Sequence, residues 1–476
     1  MKTLIKNAFV VSMDPAVGNI DGCDILIEEG RIMAVQPDLT ADADEVVDAT
    51  GQIVSPGFVD THHHFWQSAI RGITSEWSLR DYIAGIRLFI AASYRPEDMY
   101  AAQLAGAMQG LHWGVTTAAD YCHNLNSPDH IEEAIRGTQE SGARVMWCYG
   151  FNRPPLAEAA FDSLDARIDY LKQTAARHFS SRDQLLTLGV CPEEAWFWAD
   201  QDQGKRQFAE ARAAGARIAW HCNSTKDIFD GRPRRDAGRA IDSGLLGPDT
   251  ILVHMNHTEA DEWRSVADVG AHVSITPETE LQMDMGWPIA WTAREHGINI
   301  GVGIDILSNN SADLRFALRL LLQNARHDAQ EERSGLMDGG VRISAKEALH
   351  WGTLGGAKAL GLDDKIGSVT PGKQADLLFH DTNALALAAW DRSQPEATLL
   401  IQAGNSELDA VMVDGKWVKR DGRLVADQRR VGALLTAAND RLREDMERQG
   451  GLDAALAKEL VRSKRQDDSA RGVMTY

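Results

Sequence analysis

The middle of the chain alternates short apolar runs with helix-patterned segments, and this alternation most constrains the fold. Eight runs have the pattern of buried strands, at 53–64, 115–120, 144–150, 185–191, 217–221, 251–254, 271–275 and 298–305. Helical patterns separate them, for example at 128–141, 202–214, 258–268 and 311–326. Eight strand–helix units across about 250 residues are the size of an α/β fold of the (β/α)8 TIM-barrel type. An open doubly wound sheet is the alternative, but the sequence lacks GxGxxG, which favours the barrel.

Both ends of the chain have a different texture, with short strands joined by tight turns. A hairpin signal occurs at Glu28-Glu29-Gly30-Arg31, and the same pattern returns at Asp414-Gly415 and Asp421-Gly422. We therefore predict one small β-sandwich domain built from both chain ends. The predicted domains are 1–56 (β-sandwich, first part), 57–361 (barrel), 362–425 (β-sandwich, second part) and 426–476 (C-terminal helices and tail).

The composition argues against a nucleic-acid-binding or membrane-spanning protein. The net charge is −20, from 69 acidic and 49 basic residues, which argues against nucleic acid or an anionic membrane as the main partner. The sequence contains no apolar run of about 18 residues, so we expect no membrane span. We expect no signal peptide at the N-terminus, and five scattered cysteines without a CxxC pair are typical of a reducing cytoplasm.

Several predicted barrel strands end in residues that can bind a metal or move a proton. Side chains two apart on a strand point to the same face, so His62 and His64 would converge while His63 faces away. Other predicted strands end at His221, His254 and Asp305. The C-terminal ends of barrel strands meet at one rim, and imidazoles with a carboxylate are suitable ligands for Zn²⁺ or Fe²⁺. Such a metal lowers the pKa of a bound water toward about 7.

These motifs resemble those of a known group of enzymes. The segment Pro56-Gly57-Phe58-Val59-Asp60-Thr61-His62-His63-His64 and the later Gly367-Ser368-Val369-Thr370-Pro371-Gly372-Lys373-Gln374-Ala375-Asp376 are similar to those of the amidohydrolase superfamily. The resemblance is to the branch of triazine hydrolases, guanine and 8-oxoguanine deaminases and S-adenosylhomocysteine deaminase, and it runs from about residue 1 to 425.

The resemblance implies a role for each strand-end residue. His62, His64, His221 and Asp305 would be the metal ligands, and Asp305 would also take a proton from the attacking water. His254 would orient that water and polarise the substrate. Members with two metals carry a carboxylated lysine at the end of strand four, where this chain has Cys191-Pro192-Glu193-Glu194. We therefore predict one divalent metal per chain, Zn²⁺ first and Fe²⁺ as the alternative.

The chain departs from the family pattern at two places. Deaminases of this branch have His-x-x-Glu after strand five, and the glutamate shuttles a proton, but here Ser224 stands at the glutamate position. After strand seven, Pro277-Glu278-Thr279-Glu280 replaces the usual Pro-Thr-Ser-Asn. Our hypothesis is that Glu280 or Glu278 supplies the missing carboxylate or holds a basic part of the substrate; the alternative is that both are surface loop acids.

Several residues near predicted strand ends are candidates for binding the substrate. Aromatic side chains in this part of the barrel suit a flat heterocyclic ring, and Trp66 is one of them. Relatives place a residue that hydrogen-bonds the ring at the position of Gln67. His123 follows strand two, and Arg153 follows strand three, where it could bind a carbonyl or carboxylate or simply face solvent.

Three functions remain in competition. The first is hydrolytic deamination of a small N-heterocycle by a metal-dependent hydrolase acting on a C–N bond. The second keeps the fold but opens a cyclic amide or removes sulfur from a thio-heterocycle, a reaction with different needs for proton delivery at Ser224. The third is a non-enzymatic binding or scaffold barrel, which the complete set of ligands disfavours. By resemblance we expect a cytoplasmic homodimer or higher homo-oligomer with a small-molecule substrate.

Overall fold

A computed structural model describes residues 1–152, 160–195, 200–227, 231–331, 339–451, 453–454 and 457. The strands are β1 (Lys2–Val11), β2 (Asn19–Glu28), β3 (Arg31–Gln36), β4 (Glu45–Asp48), β5 (Gln52–Pro56), β6 (Phe58–His63), β7 (Val115–Cys122), β8 (Arg144–Gly150), β9 (Leu186–Cys191), β10 (Arg217–Cys222), β11 (Thr250–His254), β12 (His272–Ile275), β13 (Ile300–Val302), β14 (Leu377–Asp381), β15 (Leu408–Val413), β16 (Lys416–Arg420) and β17 (Arg423–Leu424).

The α-helices are α1 (Leu79–Tyr82), α2 (Pro96–His112), α3 (Pro128–Ser141), α4 (Leu164–His178), α5 (Gln201–Ala213), α6 (Asp236–Asp242), α7 (Ala260–Asp268), α8 (Pro277–Gln282), α9 (Ala290–Glu295), α10 (Leu314–Glu331), α11 (Ala345–Trp351), α12 (Leu354–Ala359), α13 (Pro395–Ala397) and α14 (Gln428–Arg448). Short 3₁₀ helices cover Phe65–Ile70 and Ile90–Ser93, and π-helical turns cover Ile83–Arg87 and Thr398–Gln402.

Strands β6 to β13 close into a barrel in which each strand pairs in parallel with its neighbours. Every residue of β6, β7 and β8 is buried, as expected for parallel strands covered on both faces. Helix α3 has the bounds predicted from its periodicity, and α5, α7 and α10 overlap the other predicted helices. The predicted (β/α)8 barrel is confirmed.

The apolar run at 53–64 is two strands rather than the single predicted one. Its first half, β5, pairs with β1 and β14 outside the barrel, and its second half, β6, is a barrel strand. The chain changes sheets at Gly57, where a Cβ atom would overlap the side chain of Thr116. Apolar periodicity does not reveal this change, because both halves are buried.

The two chain ends build one β domain together, as predicted, and their described strands form a single mixed sheet. Its strands run in the order β17-β16-β15-β14-β5-β1-β2-β3, and β4 also pairs with β1. A buried ion pair joins this sheet to the barrel, because Arg144 of β8 donates to both carboxylate oxygens of Asp376, at 2.8 and 3.1 Å. The numerical domain bounds given above stay predictions.

Helix α14 belongs to the predicted C-terminal helical segment and packs against the barrel's first helices. Arg430 donates to Glu140 at 2.5 Å, and Asn439 donates to the carbonyl of Ala69 at 2.6 Å. None of the helices within the described residues is both long and apolar enough to cross a lipid bilayer.

Candidate metal centre

Side chains from three strand ends meet at one rim of the barrel. His62 is the second-last residue of β6 and His64 follows the strand, and the Nε2 atoms of both lie near Oδ1 of Asp305, at 3.2 and 3.3 Å. His221 of β10 adds its Nε2 atom, 3.2 Å from that of His62. His63 points the other way and pairs with Asp60 at 2.8 Å. The structure thus brings together the four residues predicted as ligands.

The spacing of these atoms fits one metal ion. Ligand atoms about 2.0–2.2 Å from a tetrahedral zinc ion lie about 3.3–3.6 Å from one another. The three separations observed here are 3.2, 3.3 and 3.2 Å. The ligand atoms of His62, His64 and His221 all lie within 4.8 Å of one another, and the same holds for His62, His254 and Asp305. The donor set of imidazole nitrogens and one carboxylate therefore fits a divalent cation.

Burial and the contacts between these side chains set the protonation states of the cluster. Burial lowers the pKa of His62 well below its usual range, and it lowers the pKa of His221 to about 4 although Glu194 opposes the shift. Burial by itself would raise the pKa of Asp305, but contacts with His62 and His64 outweigh it and hold that pKa well below its usual range. Neutral imidazoles and an ionised carboxylate are the forms that bind a cation.

The outer nitrogens of two of these histidines are fixed by further contacts. Nδ1 of His64 donates to the carbonyl oxygen of Tyr121 at 2.8 Å. Nδ1 of His221 lies 3.0 Å from Oε1 of Glu194. Such contacts orient the ring and leave Nε2 free for the metal.

Glu194 is a site residue that the sequence analysis missed. It follows β9, lines the cavity, and forms an ion pair with Arg87 at 3.1 Å as well as its contact with His221. Asn152 also donates to its second oxygen. Burial would raise the pKa of Glu194, but Arg87 and His221 hold it well below the usual range. The sequence carries one signal for Glu194, its position after a barrel strand end, but Glu193 follows the same strand end.

His254 ends β11 beside the cluster. Its ring stacks on that of His221, with centroids 5.4 Å apart. Its Nδ1 atom lies 3.0 Å from the hydroxyl of Thr276 and 3.4 Å from Oε1 of Glu280. Its backbone has a positive φ of 77°, an uncommon conformation for a residue other than glycine that is often found at functional sites.

The two acids of the Pro277-Glu278-Thr279-Glu280 segment occupy different environments. Glu280 is completely buried, and its Oε1 accepts the backbone N–H and the hydroxyl of Thr276 in addition to contacting His254. Glu278 is half-buried, and burial next to Asp313 raises its pKa to about 7. Neither is among the described residues that line the cavity.

The predicted substrate-binding residues are placed differently. Gln67 is fully buried between Tyr82 and Ser308, Trp66 is also fully buried, and neither is among the described residues lining the cavity. His123 is buried, and the centroid of its ring lies 4.5 Å from the ring centroid of His64. Arg153 lies outside the described residues.

A cavity opens onto the cluster. Ser224 lines it, so the position where relatives place a glutamate does face this space. Its other described lining residues are His64, Leu79, Tyr82, Ile83, Arg87, Glu194, His221, Thr225, His254, Thr279, Met283, Met285, Asp305 and Ile306. Most of these residues are polar or charged, but the surface that they expose to the cavity is mostly apolar, as is usual for a site that binds a small organic molecule.

Known proteins resemble the chain over most of its length. A 5-methylthioadenosine/S-adenosylhomocysteine deaminase of Acetivibrio thermocellus is 27% identical over 435 residues, covering 89% of this chain and 95% of that protein. A 5'-deoxyadenosine deaminase of Methanosarcina mazei is 25% identical over 434 residues, covering 90% and 95%.

Solved structures share the fold. An adenosine deaminase from Xanthomonas campestris with bound zinc matches with a TM-score of 0.79 and 21% identity, covering 93% of this chain and 98% of that one. Atrazine chlorohydrolase from Arthrobacter aurescens TC1, complexed with zinc, matches with a TM-score of 0.78 and 21% identity, covering 92% and 100%.

The model of the Amidohydrolase family matches residues 53–418, which include every strand of the barrel and the complete cluster of candidate ligands. The family resemblance found in the sequence is confirmed: the chain belongs to the amidohydrolase family.

Proposed function

We propose that this protein is a hydrolase with one divalent metal per chain, zinc first, that cleaves a C–N bond of a small N-heterocycle by hydrolytic deamination. The observation that carries the proposal is the cluster of His62, His64, His221 and Asp305, three of which (His64, His221 and Asp305) line the cavity. The names of the relatives support it, since they are deaminases of adenosine-like compounds. A bound divalent cation would lower the pKa of a coordinated water and so supply a nucleophile at neutral pH.

The chain's own residues would manage the protons. The hydroxyl and carboxylate beside Nδ1 of His254 favour the tautomer with its proton on Nδ1. Nε2 is then an acceptor that orients the attacking water. Asp305 is held ionised by its histidine contacts and would accept a proton from that water.

Ser224 favours a second candidate function. A serine hydroxyl is a poor acid at neutral pH, so a reaction that needs no carboxylic acid at this position suits the cavity, for example opening of a cyclic amide or removal of sulfur from a thio-heterocycle. The predictions of a cytoplasmic location and of a homodimer or higher homo-oligomer stay predictions.

Ammonia release by the purified protein, with its metal content measured, tests the proposed function. The panel is aminopurines, pterins, triazines, pyrimidines and hydantoins. Ammonia from one class supports deamination. If protein with one metal per chain releases no ammonia from any class, deamination is contradicted, and mass spectrometry of the same mixtures then tests ring opening and desulfurisation.

Glu280→Gln is expected to leave the metal content unchanged and to lower turnover by about 10²-fold. The amide can donate to Nδ1 of His254, which would move the ring proton to Nε2 and remove the acceptor for the water. Turnover and metal analysis of the purified variant check this. Glu278→Gln, on the same helix, is the matched control for the alternative that Glu278 supplies the carboxylate. Near-wild-type turnover of Glu280→Gln would contradict the role of Glu280.

A further inference from the structure

One wall of the cavity comes from a single short segment of chain. Leu79, Tyr82, Ile83 and Arg87 all line the cavity, and we call them the donor wall. They lie in α1 and the π-helical turn that continues it, at spacings that place side chains on one helical face. The backbone N–H of Leu79 donates to the carbonyl of Met283 at 3.1 Å, which ties this segment to the opposite loop.

A chain of buried hydrogen bonds ends at the phenol of Tyr82. The hydroxyl of Thr74 donates to Ser308 at 3.2 Å, and the hydroxyl of Ser308 donates to the carbonyl oxygen of Gln67 at 2.8 Å. The amide nitrogen of Gln67 then donates to the phenol oxygen of Tyr82 at 2.7 Å. Thr74, Ser308 and Gln67 have no exposed surface, and Tyr82 is 6% exposed.

The direction of this chain decides what Tyr82 offers to the cavity. Each group donates a hydrogen bond to the next, so the phenol oxygen of Tyr82 is the acceptor for the amide of Gln67. Among the described residues no acceptor binds the hydroxyl proton of Tyr82, which is therefore available to a molecule in the cavity. Burial raises the pKa of Tyr82 above its usual value, so this proton stays in place at neutral pH.

Arg87, the charged residue of the donor wall, also presents hydrogen-bond donors to the cavity. Arg87 is oriented by its two contacts with Glu194, at 3.1 and 3.5 Å, and a guanidinium has donors but no acceptor. A molecule facing Tyr82 and Arg87 therefore meets hydrogen-bond donors, and its complementary edge must carry acceptors.

We propose that Tyr82, held by Gln67 and Ser308, is a specificity-determining donor that binds a carbonyl oxygen of the substrate, so that the preferred substrate is an oxo-substituted amino-heterocycle. This inference rests on the proposed function, because it takes the molecule bound in the cavity to be the substrate. Gln67 is then a positioning residue that acts through Tyr82.

Binding of matched ring pairs tests the inference separately from turnover. Cytosine and 4-aminopyrimidine differ by one oxo group, as do guanine and 2-aminopurine. Titration calorimetry on the zinc-loaded Glu280→Gln protein, in which turnover is expected to be slow, is expected to give at least one pair in which the oxo compound binds about ten-fold more tightly or better. Equal affinities within both pairs, or no binding of any of the four, would overturn the inference. Binding with this preference but without ammonia release by the wild-type protein would contradict deamination and leave the role of Tyr82 supported.

Two variants separate the donor from a general effect on the fold. Tyr82→Phe keeps the ring and is expected to reduce the preference to about two-fold or less, with little change for the compound that lacks the oxo group. Gln67→Glu offers the phenol an acceptor, turns its proton away from the cavity, and is expected to weaken the preference similarly. Tyr149→Phe is the matched control, because its buried phenol donates to the carbonyl of Arg167, away from the cavity. A preference that survives both Tyr82→Phe and Gln67→Glu would overturn the proposal.

Discussion

Asp305→Asn is expected to lower turnover by about 10⁴-fold and to reduce the bound metal to well below one ion per chain. Of the four candidate ligands Asp305 is the acidic one, and the three histidines are neutral. The amide keeps the shape of the side chain but removes the charge that offsets a divalent cation. It also removes the acceptor for a proton from the attacking water.

The backbone makes asparagine the appropriate replacement. Asp305 has a positive φ of 72°, a conformation that asparagine tolerates better than most residues. A loss of activity in this variant therefore reports on charge and not on a distorted loop. Zinc analysis, ammonia release and the melting temperature of the metal-free protein check the result together.

Asp313→Asn is the control for Asp305→Asn. Asp313 lies eight positions later in the chain, where its carboxylate accepts the backbone N–H of Phe316 at the start of α10. It is expected to keep both metal and turnover. If Asp305→Asn also kept one metal per chain and wild-type turnover, the assignment of this cluster as the reaction centre would be wrong.

The metal cluster was predictable because it follows from one rule of topology. The C-terminal ends of barrel strands meet at a single rim, so polar residues at those ends must be neighbours. Only the order of the strands is required to predict that four side chains are neighbours, and the sequence pattern supplies that order. These are His62, His64, His221 and Asp305. The same rule applies to Glu194, but the sequence does not distinguish it from Glu193 beside it.

The part of the site beyond the strand ends was less predictable. Tyr82 and Arg87 lie in the helical connection between β6 and α2, whose path depends on packing against distant residues such as Ser308 and Met283. Hydrogen-bond direction is also invisible in a sequence. Gln67 stands where relatives contact the ring, yet here its amide is used by Tyr82 and Ser308.

Glu194→Ala is expected to lower the free energy of unfolding by about 3–5 kcal/mol, the usual cost of removing one partner from a buried ion pair. The loss arises because the buried guanidinium of Arg87 keeps its charge while its carboxylate partner disappears. Asn152 and Nδ1 of His221 lose an acceptor in the same step. Urea unfolding of the metal-free protein measures this loss in the free energy of unfolding without any contribution from the metal.

The metal-loaded protein reports the second consequence of Glu194→Ala. Because the imidazole of His221 loses its orienting partner, the metal affinity is expected to fall by about 10–100-fold. Competition with a chelator of known affinity measures it.

Glu193→Ala distinguishes the ion pair from a general effect of deleting a carboxyl group. Burial beside Glu194 raises the pKa of Glu193 to about 7, and among the described residues it forms no salt bridge. The folded protein ionises this buried acid only at a cost, and the cost is present above about pH 7 and disappears as the pH falls toward the unfolded value of about 4.3. Glu193→Ala removes this cost and is therefore expected to leave the stability unchanged or to raise it at pH 8, where Glu194→Ala has its full destabilising effect. Equal losses for both variants would mean that deletion of volume, and not the contact with Arg87 and His221, explains the result.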